Sequence, residues 1–383
     1  MKNKKSLPKV IISTVGTSLL TNQINRNAQE SEGDWFKMLS KYANETWENT
    51  PSEVQDIIRE LETRASEKLK QNDLGKLRKL SAELNGIYGI YDNNIIEGKR
   101  DFHYLISTDT AQGKITAEIV KDYLLSQGLM VDIYTPSGLS TANTIAFSEG
   151  IDQLIVWLRE DIVKNYQDHH KIYFNLVGGF KSLQGYLNTL AMFYADAIAY
   201  IFEGENSELI TIPRLPITVD KTAIEDYKVL LALMNAGADL PIQDALEIPE
   251  SLVYVVDEEM TLSTWGKLVW AECKNQFLSE ELLEFTNLEY LDSFRRDYNN
   301  VNDKSQRVKL QETLAKVSYL LHKYQGDRGV LRRDGGILYE TYTQYSNIEH
   351  FRVSLNWRVS CISDNEKLVL RHFGQEESVN NNP

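Results

Sequence analysis

The chain has 383 residues, of which 42% are hydrophobic and 25% are charged. This length exceeds the size at which a single core usually stops growing, so we expect two or three folded domains. A net charge of −14 argues against a protein that coats nucleic acid by bulk electrostatics. The two cysteines, Cys273 and Cys361, are too few for a disulfide framework or a four-cysteine zinc site.

Charge is unevenly distributed along the chain. Residues 321–383 carry as many basic as acidic side chains, so the whole negative excess lies upstream, and the C-terminal part is where a polyanion would be repelled least. No apolar run approaches the roughly 20 residues that a membrane span needs. The N-terminal segment leads into a strand-like Val-Ile-Ile rather than a signal sequence. We therefore expect a cytoplasmic protein that does not contact a membrane.

The first half of the chain alternates short β-branched runs with amphipathic helical stretches. This pattern predicts an α/β domain with a doubly wound, Rossmann-like parallel sheet and helices on both faces. A polar stretch at 52–84 is interpreted as a helical hairpin inserted at about residues 50–90. The predicted strands are Lys9–Thr14, Tyr104–Ser107, Met130–Tyr134, Lys171–Val177 and Ile198–Phe202, and the predicted helices include 113–127, 140–165 and 181–194.

After Pro216 the pattern changes to short helices and a small β segment, followed by a helix start at Leu262-Ser-Thr-Trp-Gly. This order is typical of a winged helix, although a serine-capped helix start explains the same letters. Residues 292–324 read as one or two amphipathic helices, and the end of the chain alternates as an antiparallel meander with a hairpin turn at 363–366. We therefore predict domains at 1–217, 218–280 and 281–383.

Three turns rich in glycine and hydroxyl groups follow predicted strands. In a doubly wound sheet these turns lie at the carboxyl edge, where backbone amides, hydroxyls and a lysine can bind phosphate. Glycines that only make tight strand-to-helix turns would explain any one turn, whereas three at one edge favour a site for a small phosphate-bearing ligand. The candidate ligand-binding residues are Gly16, Thr17, Ser18, Thr108, Asp109, Gly178, Gly179, Phe180, Lys181 and Ser182.

The segments 14–20 and 175–182, with the winged-helix segment behind them, resemble the CARF family of CRISPR-associated effectors over roughly residues 1–270. The resemblance implies a homodimer that binds one cyclic oligoadenylate across its two-fold axis as an allosteric activator, without a cofactor. Cyclic tetra-adenylate is the expected activator, and the long helical insertion leaves the ring size open.

Two nuclease classes do not fit the C-terminal half. A HEPN ribonuclease needs an arginine four to six residues before a histidine, and none of the 6 histidines has one. Glu272-Cys273-Lys274 has the letters of a metal-dependent nuclease motif but lies in a helical stretch, where a solvated face explains it better. We therefore predict no metal site.

From Leu283 onward the chain resembles the RelE/YoeB family of messenger-RNA interferases, through Phe351–Ser360 and Leu370–Phe373. The resemblance implies catalytic roles for the central-strand Arg358 and for Arg352, Arg371 and His372. Phe373 stands where the family has a tyrosine, and the lysine pair of one branch is absent, so the acid–base assignment stays open.

Elementary chemistry agrees with this set. RNA cleavage by the ribose 2′-hydroxyl needs guanidinium groups for the developing charge and a proton shuttle such as histidine. Arg352 and Arg358 are an even number of residues apart and share a face if the strand is regular, and His372 can reach that face from the next strand. Ordinary exposed strand charges would explain each residue separately. Arg332 and Arg333, in a glycine-flanked loop, are predicted to bind RNA.

These observations together favour a ligand-activated messenger-RNA endoribonuclease that acts on the ribosome in type III CRISPR antiviral defence. Two alternatives remain. A sensor-regulator would bind DNA through the winged helix, against which the acidic first 320 residues argue. A ring nuclease would degrade its own activator, with Thr17, Ser18 and Lys181 positioning the phosphate.

Overall fold

The computed structural model describes residues 7–25, 32–71, 73–201, 208–244, 247–345 and 347–383. The chain forms two compact units, Met1–Thr218 and Val219–Pro383. The predicted mixed α/β class with a Rossmann-like parallel sheet is confirmed, and further sheets lie in the C-terminal unit. None of the described helices is both long enough and apolar enough to cross a membrane.

The N-terminal unit is built on a 6-stranded sheet of order β3-β2-β1-β4-β5-β6. Its strands are β1 (Lys9–Thr14), β2 (Phe102–Ile106), β3 (Met130–Tyr134), β4 (Lys171–Asn175), β5 (Ala197–Ile201) and β6 (Leu209–Pro213). The first five are parallel and β6 is antiparallel to β5. Phe202, the end of the predicted fifth strand, lies outside the described residues. Because the strand order reverses between β1 and β4, a crevice opens beyond their carboxyl ends.

Helices connect these strands, and polar caps set several of their starts. They are α1 (Ser18–Thr21), α2 (Trp35–Lys41), α3 (Ser52–Lys70), α4 (Leu74–Leu80), α5 (Ala82–Ile90), α6 (Ala111–Ser126), α7 (Thr144–Trp157), α8 (Lys164–Tyr166) and α9 (Lys181–Tyr194). The predicted helix at 140–165 begins later, because the Asn143 side chain accepts the N–H of Ala146 and so caps α7. A π-helical stretch, Leu158–Val163, joins α7 to α8.

The stretch predicted as a helical hairpin consists of three helices, α3, α4 and α5. Asp73 and Ser81 each cap the N-terminus of the helix that follows them, which divides the stretch at those positions. Helix α3 packs on α6, whereas α5 packs on β4, β5 and β6. Helix α5 therefore covers the sheet and is part of the core of the unit.

The C-terminal unit contains two sheets. Its strands are β7 (Leu240–Pro241), β8 (Val253–Val256), β9 (Glu259–Leu262), β10 (Leu288–Tyr290), β11 (Glu340–Thr341), β12 (Glu349–Ser354), β13 (Trp357–Asp364) and β14 (Lys367–Gln375). Its helices are α10 (Lys228–Asn235), α11 (Thr264–Glu280), α12 (Asp292–Asn300), α13 (Lys304–Lys323), α14 (Gly329–Arg333) and α15 (Glu376–Asn381). The small antiparallel sheet β7-β9-β8 precedes α11, whose first turn is capped by Ser263.

The larger sheet has the order β10-β14-β13-β12-β11. It is antiparallel except for the parallel pair β10 and β14. One face buries Phe351, Val359 and Leu370 in a core that also holds side chains of α12 and α13. The same continuous core includes Leu231 of α10 and Trp270 of α11, so segments 218–280 and 281–383 pack as one body.

Candidate functional site

The turns that follow β1 and β4 pack against each other at the switch point of the N-terminal sheet. The Thr14 hydroxyl donates to the carbonyl of Gly178 across the two turns. A Cβ on Gly16 would lie 2.9 Å from the backbone nitrogen of Gly179, and Gly179 itself has a φ of +97°. Backbone contact of this closeness requires glycine, so the two turns form one continuous polypeptide surface.

A buried carboxyl group lies behind this surface. Glu83, on the first turn of α5, is fully buried, accepts the N–H of Gly16 at 2.7 Å and accepts the Ser81 hydroxyl at 2.7 Å. A Cβ on Gly178 would lie 2.1 Å from Oε1 of Glu83, so the glycine also makes room for the carboxyl. Burial raises the pKa of Glu83 above its ordinary value, although the two donors oppose the shift. Glu83 therefore positions both turns, and the sequence analysis did not identify it.

A cleft of about 380 Å³ opens in front of the two turns and is called the N-terminal cleft below. It is lined by Gly16, Thr17, Ser18, Thr21, Phe36, Leu39, Ser40, Ala43, Ala82, Gln112, Val177, Gly178, Gly179 and Phe180. Hydroxyl groups and glycine backbone lie on one part of the lining, and the Phe36 ring is 51% exposed. Helix α9 starts directly after Phe180, so its first amides lie beside the cleft. Such a lining can hold a phosphate and an aromatic base.

Four of the predicted ligand residues lie outside the described lining of this cleft. The Thr108 hydroxyl is buried and lies 3.0 Å from the hydroxyl of Thr110, which caps α6. Asp109 accepts the N–H of Gly138 and forms an ion pair with Lys114 at 2.6 Å. Lys181 and Ser182 are exposed on the first turn of α9.

In the C-terminal unit, the face of the larger sheet opposite the core gathers polar side chains in two cross-strand rows. His350, Ser360 and His372 are register partners on β12, β13 and β14 and form the imidazole row. Arg352, Arg358 and Gly374 form the adjacent arginine row. Cross-strand partners project from the same face, so the arginines and both histidines are neighbours.

Arg352 and Arg358 share this face for a reason other than the predicted one. The prediction rested on an even spacing along one regular strand. The two arginines instead lie on β12 and β13, which a turn at Leu355 and Asn356 connects, and they are directly paired. The tight hairpin therefore brings them together. It also brings in His350, which the sequence analysis did not select.

His372 is held by a carboxylate from α12. Its Nδ1 lies 2.8 Å from Oδ2 of Asp297, and the same oxygen accepts the backbone N–H of Phe373 at 3.2 Å. The Ser293 hydroxyl donates to the carbonyl of Arg371 at 2.6 Å. Where β14 extends past its pairing with β10, side chains of α12 therefore hydrogen-bond to its backbone. Asp297 also fixes the orientation of the His372 ring.

Arg358 is in contact with both an acid and an imidazole. Its Nη2 donates to Oε1 of Glu376 at 2.5 Å, and its Nη1 lies 3.3 Å from Nδ1 of His350. Burial and the neighbouring guanidinium lower the pKa of His350, so this imidazole is neutral near pH 7. The Ser360 hydroxyl and Nε of Arg358 are buried without a hydrogen-bond partner among the described residues.

The remaining predicted basic residues are placed differently from one another. Arg371 lies at the irregularity of β14 between the partners of Ser360 and Cys361, outside the two rows. Arg332 and Arg333 end the short helix α14, which corrects their predicted placement in a loop. Arg332 lies 3.7 Å from a carboxylate oxygen of Glu349, and the Arg333 side chain is 73% exposed.

The Glu272-Cys273-Lys274 segment lies in α11, as the helical interpretation predicts. Cys273 is buried in the core, and Lys274 forms an ion pair with Glu312 at 2.5 Å. Within the ranges that the structure describes, no group of three or more His, Cys, Asp or Glu side chains is arranged to hold a metal ion.

One comparison with known proteins bears on the N-terminal unit. Residues 78–215 match the model of a family described as CRISPR-associated protein (Cas_APE2256). The matched segment is about a third of the chain and includes α5 with Glu83, strands β2 to β6 and the Gly178-Gly179 turn. The match indicates a CRISPR-associated protein, which suggests a role in CRISPR defence.

Proposed function

We propose that this protein is a ribonuclease of type III CRISPR defence that a cyclic oligoadenylate activates. The N-terminal unit is the sensor and the C-terminal unit is the endoribonuclease, acting on messenger RNA at the ribosome. The observation that carries the proposal is that the arginine row lies next to the imidazole row on one sheet face.

The sensing half rests on the N-terminal cleft. Its hydroxyls, its glycine backbone and the start of α9 offer donors to phosphate, and Phe36 and Phe180 offer ring faces to a base. A cyclic oligoadenylate combines these two chemical features in every nucleotide. Because such a ring is rotationally symmetric, two copies of the cleft related by a two-fold axis would bind it, so the active form is a homodimer.

The catalytic half follows from the chemistry of the two rows. The ribose 2′-hydroxyl attacks the adjacent phosphorus and the bond to the 5′ oxygen breaks, which leaves a 2′,3′-cyclic phosphate and a 5′-hydroxyl. Arg358 and Arg352 bind the phosphate oxygens, where charge develops. One imidazole accepts the proton of the 2′-hydroxyl and the other donates one to the departing oxygen.

Asp297 acts as a positioning residue in this scheme. Its bond to Nδ1 of His372 leaves Nε2 as the nitrogen that can exchange a proton with RNA. The contact from Phe373 anchors the Asp297 carboxylate to the strand that carries His372, so ring and carboxylate cannot shift independently.

The test is RNA cleavage by the full chain with and without cyclic tetra-adenylate, each in the presence and absence of ribosomes. We expect ligand-dependent cuts that end in 2′,3′-cyclic phosphate. If RNA stays intact under all four conditions while labelled ligand is converted to linear product, the activity is that of a ring nuclease. If neither is cut, the proposal is wrong.

A further inference from the structure

The C-terminal helix α15 lies on the sheet face that carries the two rows. It packs against β13 and β14. Val379 is only 3% exposed, and its Cγ2 lies 3.5 Å from where a Cβ on Gly374 would be. Gly374 is the one member of the arginine row without a side chain, and Val379 fills the space that it leaves.

A second contact holds α15 beside the imidazole row. The Tyr342 hydroxyl donates to Oδ1 of Asn380 at 2.9 Å, and the Tyr342 ring lies 4.4 Å from the ring of His350. The Tyr342 ring, which α15 holds through Asn380, packs on His350, and His350 is 6% exposed. RNA could not reach this imidazole while both stay in place.

The contact between Glu376 and Arg358 has the form of a substrate contact. A carboxylate oxygen offers the guanidinium the same charge and the same acceptor geometry as a phosphate oxygen. The Arg358 side chain is 17% exposed. With Nη2 bound to Glu376 and Nη1 directed to His350, the guanidinium has little surface left for a phosphate.

We propose that α15 is an autoinhibitory segment: its Glu376 carboxylate occupies the phosphate position on Arg358, and the helix must leave the sheet before RNA binds. This proposal rests on the proposed ribonuclease function. It adds an inhibitory contact within the C-terminal unit, and activation would have to break this contact.

Helix α15 is suited to such release because it is short and makes few contacts with the sheet. A helix of 6 residues does not persist alone in water, so α15 depends on its contacts with the sheet. Those contacts include one buried apolar side chain, Val379, the ion pair of Glu376, the hydrogen bond of Asn380 and a backbone hydrogen bond of 2.8 Å from the Glu376 N–H to the carbonyl of Asn356. The Glu376 side chain is 41% exposed, which gives water and competing phosphates access to the ion pair.

Glu376 could instead be a proton acceptor in catalysis, and the two roles predict opposite results. We would compare Glu376→Gln with Glu377→Gln, a matched control that removes the same charge from the adjacent, exposed position of α15. Single-turnover RNA cleavage would be measured without activator. Autoinhibition predicts a roughly 10-fold rise for Glu376→Gln alone, as expected for the loss of a partly exposed charge-assisted contact. A fall in rate overturns the proposal.

A binding measurement keeps the test independent of cleavage. A short RNA with 2′-O-methyl groups, which cannot be cut, would be titrated against both variants and followed by fluorescence anisotropy. We expect roughly 10-fold tighter binding to Glu376→Gln than to Glu377→Gln. Equal affinities would overturn the inference even if the enzyme is active. If no variant cleaves RNA but Glu376→Gln still binds it more tightly, the proposed ribonuclease function is wrong. The inference that Glu376 blocks a phosphate-binding position on Arg358 is then still supported.

Discussion

Glu83 and Gly16 are joined by a hydrogen bond of 2.7 Å from a backbone N–H to a fully buried carboxyl group. The bond connects α5 to the turn after β1, and the same carboxyl oxygen would lie 2.1 Å from a Cβ on Gly178. The shape of the N-terminal cleft therefore depends on a side chain that lies behind its surface.

Two replacements of Glu83 should show whether stability depends on the hydrogen bonds of this side chain or on its negative charge. Burial raises the pKa of this carboxyl, which favours the neutral form, so Glu83→Gln should be tolerated near neutral pH. Glu83→Ala leaves the Gly16 N–H without its partner and should lower the free energy of unfolding by roughly 1–3 kcal/mol. Thermal unfolding at pH 7 would compare the two. Equal destabilisation would show that the negative charge itself is required.

Lys181→Ala should weaken binding of a cyclic oligoadenylate without loss of folding. The side chain is exposed at the start of α9, next to the cleft, so it contributes charge to a polyanion and little to any core. We expect a Kd about five-fold weaker by calorimetry. Lys164→Ala is the control, because α8 precedes β4 and so lies at the opposite edge of the sheet. An equal effect of both variants would point to net charge alone.

Local patterns in the sequence were enough to predict the parallel sheet and the glycine turns at its carboxyl edge. The β-branched run of β1 and the Gly178-Gly179 turn are contiguous signals, and the structure places both as predicted. Glu83 could not be found in this way, because it lies 67 residues from Gly16 and its neighbour Ser81 makes it look like an ordinary helix start. A carboxyl group that meets a glycine turn through tertiary packing leaves no local pattern.

The same limit applies to the C-terminal face. Arg358 was selected because its neighbours in sequence resemble a known strand. His350 joins it through the hairpin register, and Asp297 and Glu376 reach the face from the helices α12 and α15. Register and helix docking depend on how the whole core packs, so these partners required the structure.

The stability of the N-terminal unit should fall in acid because of His103. Burial lowers the pKa of this imidazole to about 4, from its ordinary value of 6.5. Below pH 6.5 His103 therefore binds a proton in the unfolded chain but not in the folded state. The free energy of unfolding falls until the pH reaches about 4. The loss should total roughly 3 kcal/mol. Calorimetric unfolding between pH 7 and pH 4 should show this slope, and His103→Gln should flatten it. An unchanged slope would assign the effect to other groups.

Arg358→Ala should abolish RNA cleavage while the protein still binds its activator. Arg358 is the central member of the arginine row, and loss of a charge-assisted donor at the scissile phosphate costs about 10²- to 10³-fold in rate. Arg333→Ala removes an exposed guanidinium on α14, so it should weaken RNA binding and leave single-turnover chemistry intact. Quench-flow measurements at saturating RNA would compare them. A larger rate loss for Arg333→Ala would place the active site elsewhere.

The last prediction concerns His372 and Asp297. His372→Ala should lower turnover by roughly 10²- to 10⁴-fold, because it removes a proton-transfer group from the imidazole row. Asp297→Asn keeps an acceptor for the Phe373 N–H but can present its amide to Nδ1 of His372, so the ring would lose its fixed tautomer and kcat should fall more than KM rises. Free imidazole should partly restore cleavage by His372→Gly, since the cavity beside Asp297 would hold it. That rescue should be much smaller in the double variant His372→Gly/Asp297→Asn. If imidazole rescues both variants equally, the role of Asp297 is to accept the backbone N–H of Phe373 and not to orient His372. If imidazole rescues neither variant and His372→Ala cleaves normally, the proton moves through another group, and His350 is the next residue to replace.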